Sequence, residues 1–282
     1  MMRTKMMRHI LVGAFAAMFV LNVQTSARAQ GLDLMSGSDN QPIAVDAQGG
    51  IEWRQEEQVF IADGPASATR GDMVLYADQL RAFYREGAGG GSEIFRLEAL
   101  GNVRITTPGR VATGGNAVYD VDKSVVVLKD GNPVKMVSGA DVITAKDQLE
   151  FWEARSLAVA RGGAVAVRAD KKVHADVLTA HFEKLSDGST QIGRVEAFDN
   201  VVINTKQDQV FADRAAYNVP TGLARLTGSV KIKRGDNQIT GCSADIDLNT
   251  GVSRLNSCDQ PAGSQPGQGG RVHGVLTPNA KN

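Results

Sequence analysis

The chain has little of what most enzymes and metalloproteins need. Among its 282 residues there are two cysteines and four histidines. His174 and His181 stand seven positions apart, and no His-Glu-x-x-His or Cys-x-x-Cys run occurs, so the familiar zinc spacings are missing. There is no Gly-x-Ser-x-Gly elbow for a nucleophile and no Gly-Lys-Ser/Thr loop for phosphates. Aromatic residues make up 5%, too few for stacked sugar platforms, and carboxylates are scattered along strands rather than set in a pair. Lys plus Arg equals Asp plus Glu at 31 each, which leaves no basic footprint for nucleic acid. Proline is scarce at 8, against the composition of a disordered chain. These absences leave a binding or structural protein that needs no cofactor.

A long apolar run is missing as well. Arg3, Lys5 and Arg8 precede an uncharged stretch from Ile10 to Leu21, followed by Ala27-Arg28-Ala29. That order is a secretory signal, residues 1–29, with the mature chain starting at Gln30. The stretch is about 12 residues long where a membrane-spanning helix needs roughly 20. Export predicts an oxidising compartment, the periplasm.

What is present is repetition. Val45 to Leu128 aligns without a gap on Ile143 to Leu226, an offset of 98 residues, with about 25 of 84 positions identical. Ala77-Asp78-Gln79-Leu80 falls on Ala175-Asp176-Val177-Leu178, and Glu98-Ala99-Leu100-Gly101-Asn102-Val103 on Glu196-Ala197-Phe198-Asp199-Asn200-Val201. A shorter echo places Tyr217 to Leu226 over Ile246 to Leu255. The unit is smaller than a domain and cannot bury its own apolar face, so copies must stack. The reading is a first copy at 40–140, a second at 141–258, a linker at 259–270 rich in Pro, Gly, Ser and Gln, and a terminal strand with its tail at 271–282.

Within a unit the period is two. Leu97, Ala99, Val103 and Ile105 share one parity, while Arg96, Glu98, Asn102 and Arg104 share the other, which describes antiparallel strands with one solvated face. Val219-Pro220-Thr221-Gly222 and Asn249-Thr250-Gly251 supply hairpin turns. Cys242 and Cys258 lie symmetrically about Thr250. A hairpin with Leu248 opposite Val252 sets them across from each other, and a disulfide is expected in the periplasm.

With these segments in view, the chain resembles the periplasmic lipopolysaccharide-transport family, LptA/OstA-like. The resemblance is carried by Asn40-Gln41-Pro42-Ile43, by the hairpin from Tyr119 to Leu128, by Arg271-Val272 through Pro278, and by the repeated Ala-Asp-x-Leu and Glu-Ala-x-Gly-Asn-Val units. It implies an all-β, elongated antiparallel β-jellyroll of stacked hairpins, whose groove shields the acyl chains of lipopolysaccharide on the way from inner to outer membrane. It implies no catalysis. Ile43, Tyr119 and Val121 align with acyl-contacting positions of the family, and Tyr217 and Val219 are the images of the last two in the second copy. The implied partners are lipopolysaccharide, an inner-membrane export subunit, an outer-membrane translocon and further copies joined head to tail through strand edges. Alternatives are a membrane-tethered subunit of the same machine and a β-repeat scaffold that binds only proteins.

Overall fold

The computed structural model describes residues 43–87, 91–186, 190–258 and 271–275. The signal segment, the 259–270 linker and the tail after 275 lie outside the described residues. The eighteen described strands form one antiparallel array in which two runs of long strands, β3 to β6 and β11 to β16, are bounded by strands split in two. The first half holds β1 (Ala44–Ala47), β2 (Gly50–Arg54), β3 (Val59–Arg70), β4 (Met73–Glu86), β5 (Ser92–Thr107), β6 (Arg110–Asp120), β7 (Val125–Lys129) and β8 (Val134–Ser138). The second holds β9 (Asp141–Ala145), β10 (Gln148–Trp152), β11 (Leu157–Arg168), β12 (Lys171–Lys184), β13 (Thr190–Asn204) and β14 (Asp208–Asn218). It continues with β15 (Leu223–Arg234), β16 (Asn237–Asp247), β17 (Val252–Asn256) and β18 (His273–Val275). The sole helical turn among the described residues is Glu153–Arg155.

The duplication is a duplication of strands. β2, β3, β4 and β6 recur as β10, β11, β12 and β14 with both ends shifted by 98 residues. The correspondence ends after Leu128 for a local reason: six residues lead from buried Leu128 to buried Val134, but four lead from Leu226 to Val230. The two extra residues split the first-copy strand into β7 and β8, whereas β15 runs through.

Every long strand bends at its middle, and the repeated motifs build the bend. The ladder between β4 and β5 slips between Tyr76 and Gln79, and that between β13 and β14 slips between Phe198 and Val201. Gly101 and Asn102 there take φ of 76° and 49°, and Asp199 and Asn200 take 60° and 52°. Asn102 Nδ2 donates to Asp78 Oδ2 at 2.8 Å, and Asn200 Nδ2 donates to Asp176 Oδ2 at the same distance. A Cβ on Gly101 would stand 2.2 Å from Asp78 Oδ2, so glycine suits the first copy, whereas Asp199 takes the same left-handed backbone in the second. The Ala-Asp and Gly-Asn pairs of the repeat are thus two halves of one cross-strand bend.

The residues flanking the bends form the core: Ala62, Ala66, Ala77, Leu80, Ala99, Val103 and their images Ala160, Ala164, Ala175, Leu178, Ala197 and Val201. Small side chains let the two arms of each bent strand close on one another. Residues of the same parity farther out, among them Leu75, Ile105, Ile143, Val173 and Ile203, pack against this spine. The folded sheet therefore has two walls meeting along an alanine-rich hinge line. One wall holds β2, β7, β10 and β17, and the other holds β1, β8, β9 and β18.

The hairpin register expected around Thr250 is off by one. Asp247, not Leu248, pairs with Val252, because the turn uses four residues: Gly251 at φ 73° donates its N–H to Asp247 O at 2.8 Å. Asp247 Oδ1 further accepts the N–H of Asn249 at 2.9 Å, an Asx turn. Cys242 and Cys258 nonetheless come within a Cα separation of 5.0 Å, since β17 ends at Asn256 and the chain is free to turn toward β16.

Candidate functional site

The inner face between the walls carries the apolar parity of the described strands. In the first copy it holds a shallow apolar trough lined by Met73, Leu75, Leu97, Ile105, Tyr119 and Val126. Tyr119 stands between Leu97 of β5 and Val126 of β7 in the ladder. Its hydroxyl donates to Glu153 Oε2 at 3.1 Å, so the phenol edge is satisfied and the ring is turned to the trough. Tyr217 repeats the placement between Val195 and Ala224. Opposite it lies Arg168, raised above its ordinary pKa by its bonds to Asp141 and, more weakly, by the Tyr217 phenol.

The other residues implicated from sequence lie elsewhere. Val121 and Val219 are the first residues of four-residue turns, where their N–H groups donate to Phe95 O at 3.0 Å and Gly193 O at 2.8 Å. They sit at the rim, at the ends of the rows that carry Tyr119 and Tyr217. Ile43 precedes β1 at an open end of the array, 41% exposed, on the parity of Val45 and Ala47. So the structure brings the tyrosines onto one wall, puts the valines above them, and leaves Ile43 at the end of the opposite wall.

Several residues of the trough escaped sequence reasoning. Trp53, Phe60 and Tyr84 form a stacked aromatic group at the β2 end, with ring centroids 5.3 and 5.2 Å apart and Trp53 Nε1 donating to Tyr84 Oη at 2.7 Å. At the 98-residue offset Trp53 and Tyr84 keep aromatic rings as Phe151 and Phe182, which meet edge to face with centroids 6.0 Å apart, while Phe60 becomes Ala158. Polar residues close most of the outer row of the β8/β9 wall: Arg70 pairs with Met73 of β4, and beyond it Thr107, Arg110, Ser138, Asp141 and Arg168 follow one another across the ladder. Alternating parity contained this row, but without the register its members are spread over a hundred residues. Among the described residues no group of His, Cys, Asp or Glu could hold a metal ion.

Both ends of the array are open and apolar. Ile51 and Trp53 are 60% and 55% exposed on β2, and Val252 and Val275 are 64% and 49% exposed on β17 and β18. β18 pairs with β16 of its own chain, Gln238 opposite Val275 and Thr240 opposite His273. Among the described strands, residue-by-residue pairing joins β18 to β16 alone.

The fold and the trough define a class: antiparallel β-jellyrolls built from bent hairpins around an apolar channel. Two successive segments, residues 45–148 and 142–252, match the family described as LptA/(LptD N-terminal domain) LPS transport protein, and the chain belongs to that family. The segments overlap at β9, where the strand pattern restarts. A protein of Rhizobium meliloti (strain 1021) described as uncharacterised is 29% identical over 153 residues, 52% of this chain and 78% of that protein. Among solved structures, LptH of Pseudomonas aeruginosa, described as the LptA-homologous periplasmic component of the lipopolysaccharide transport device, is 12% identical. That superposition covers 84% of this chain and 96% of LptH at a TM-score of 0.22. Among the described residues no helix is long and apolar enough to cross a membrane.

Proposed function

We propose that this chain is a non-enzymatic periplasmic carrier that takes lipopolysaccharide from an inner-membrane export subunit toward an outer-membrane translocon, with the lipid's acyl chains between the two walls. The observation that carries the reading is the apolar inner row, which runs from Ala68 through Leu75, Ile105, Ile143, Val173 and Ile203 to Ile232 and ends toward exposed Val45 and Val275. Each methylene of an acyl chain left in water costs about 0.8 kcal/mol, so a carrier of several chains needs a trough without interruption. Tyr119 and Tyr217 contact acyl chains along it, Val121 and Val219 cover the rim, and Ile43 receives chains at the entry.

The exposed apolar edges favour head-to-tail joining. Edge strands with free N–H and C=O groups are templates for strand addition. The two ends differ in sequence, so contacts between β1/β2 and β17/β18 are heterologous and extend linearly. The Cys242–Cys258 bridge fixes the last hairpin at the pairing end. A photoactivatable amino acid at 119 and at 217 tests the lipid route: crosslinks to lipopolysaccharide at both positions are expected in cells. Crosslinks to protein alone at both would leave a scaffold.

A further inference from the structure

Arg110 is the residue of the trough for which the fold provides no counter-charge. It opens β6 two residues before Ala112, whose side chain packs on the core, so Arg110 lies on the inner parity at the outer row. Its ladder neighbours are Thr107 of β5 and Ser138 of β8. No ion pair or side-chain hydrogen bond reaches Arg110, Thr107 or Ser138 among the described residues. The nearest acid on that row is Asp141, one strand beyond Ser138, about 10 Å from Arg110 at ordinary strand spacing. Asp141 is itself bound to Arg168 through two guanidinium nitrogens. Arg110 is half-buried, and that burial pushes its pKa below the ordinary value. A partly desolvated guanidinium without a partner is costly, and an anion brought by a ligand removes the cost.

The second copy shows the same place neutralised. The residue 98 positions after Arg110 is Asp208, and it accepts Arg234 Nε at 2.7 Å and Nη2 at 2.8 Å, a bidentate pair. The residue corresponding to Thr107 is Thr205, whose hydroxyl accepts the Asp208 N–H at 2.9 Å and is held within the turn. One copy therefore offers a guanidinium and two hydroxyl donors beside an apolar pocket, and the other offers a closed ion pair.

We propose that Arg110, with the Thr107 and Ser138 hydroxyls, forms an anion subsite for a phosphate-type headgroup, placed so that the acyl chains of the same molecule lie against Leu75, Leu97 and Ile105. The proposal rests on the lipid-carrying role and adds that the first copy reads the headgroup while the second does not. A phosphate bears several acceptor oxygens, which a fork of N–H donors flanked by hydroxyls satisfies together.

The test measures binding of the full mature chain to bis-phosphorylated lipid A, to the same lipid after phosphatase treatment, and to inorganic phosphate. Wild type should bind the phosphorylated lipid about tenfold more tightly than the dephosphorylated one, the scale of a charge-assisted contact. R110Q should erase that preference without weakening the dephosphorylated lipid, and R110K should keep most of it. Inorganic phosphate at millimolar concentration should not displace the lipid. Equal losses for both lipids in R110Q, or an unchanged preference, would overturn the subsite while leaving the carrier role standing. Displacement by inorganic phosphate would overturn the headgroup assignment. A wild type that binds neither lipid would overturn the carrier role and the subsite together.

Discussion

Tyr119 and Glu153 are joined by a 3.1 Å hydrogen bond that ties the inner end of β6 to the turn after β10, 34 residues away in sequence. The bond holds the ring upright in the wall between Leu97 and Val126. Tyr119→Phe should keep lipid loading and cost about 1 kcal/mol of stability in urea unfolding, the net worth of such a bond. Tyr119→Asp should leave a β-rich chain by circular dichroism but sharply reduce loading, because a carboxylate facing acyl chains has no partner there. Full loading of the Asp variant would remove Tyr119 from the lipid path.

Cys242 and Cys258, 16 residues apart, staple the β16–β17 hairpin at the end of the array. For a loop of that size the chain-entropy model gives on the order of 3 kcal/mol. Protein isolated from the periplasm should resist thiol alkylation until reduced, and Cys242→Ser should lower the midpoint of unfolding accordingly. Two alkylated thiols in unreduced material would contradict the bridge.

Glu150 is the buried acid on the outer face, 6% exposed. Desolvation pushes its pKa up, but bonds from Arg161 Nε at 2.5 Å, Trp152 Nε1 at 2.7 Å and Gln148 Nε2 at 2.7 Å outweigh it and hold the carboxyl below its ordinary 4.5. A depressed folded pKa means that the contribution to stability is present above pH 4.5 and is lost as pH falls through the folded value. Denaturant unfolding across pH 3 to 7 should therefore show a steeper acid loss for wild type than for Glu150→Gln. Parallel curves would assign the acid sensitivity to other groups.

The pairing edge is tested by Val275→Pro and by removal of 271–282. Proline at 275 removes an N–H from β18 opposite Gln238. With β18 weakened or removed, the end of the array loses the strand that a second copy would join, which should reduce concentration-dependent association in analytical ultracentrifugation without unfolding the body. A full-length chain that stays monomeric at all concentrations would argue against head-to-tail growth.

How much of this was legible beforehand depended on what each feature needs. Alternation and the 98-residue offset were enough for the strands, because burial of Ala99 and Val103 is decided by parity within one strand. Tyr119 was singled out by the family resemblance and Tyr217 by the offset, and the structure sets each on the parity of its neighbour, Ala117 or Ala215. The meaning of Asp78 and Asn102 was hidden because their contact crosses two strands and depends on a ladder slip that no single segment displays. The hairpin register at Asp247 missed by one residue because loop length is set by the Asx turn and the left-handed Gly251, not by the symmetry of the cysteines. The outer row containing Arg110 needed the pairing of six strands before its charges could be balanced against each other.

The carrier role is tested most directly by passing the mature chain, preincubated with lipopolysaccharide micelles and freed of excess, through gel filtration and measuring lipid A in the protein peak. Lipid A should co-elute with wild type and be depleted severalfold with Tyr119→Asp at equal protein. A protein peak free of lipid A in the wild type would contradict the account at its centre.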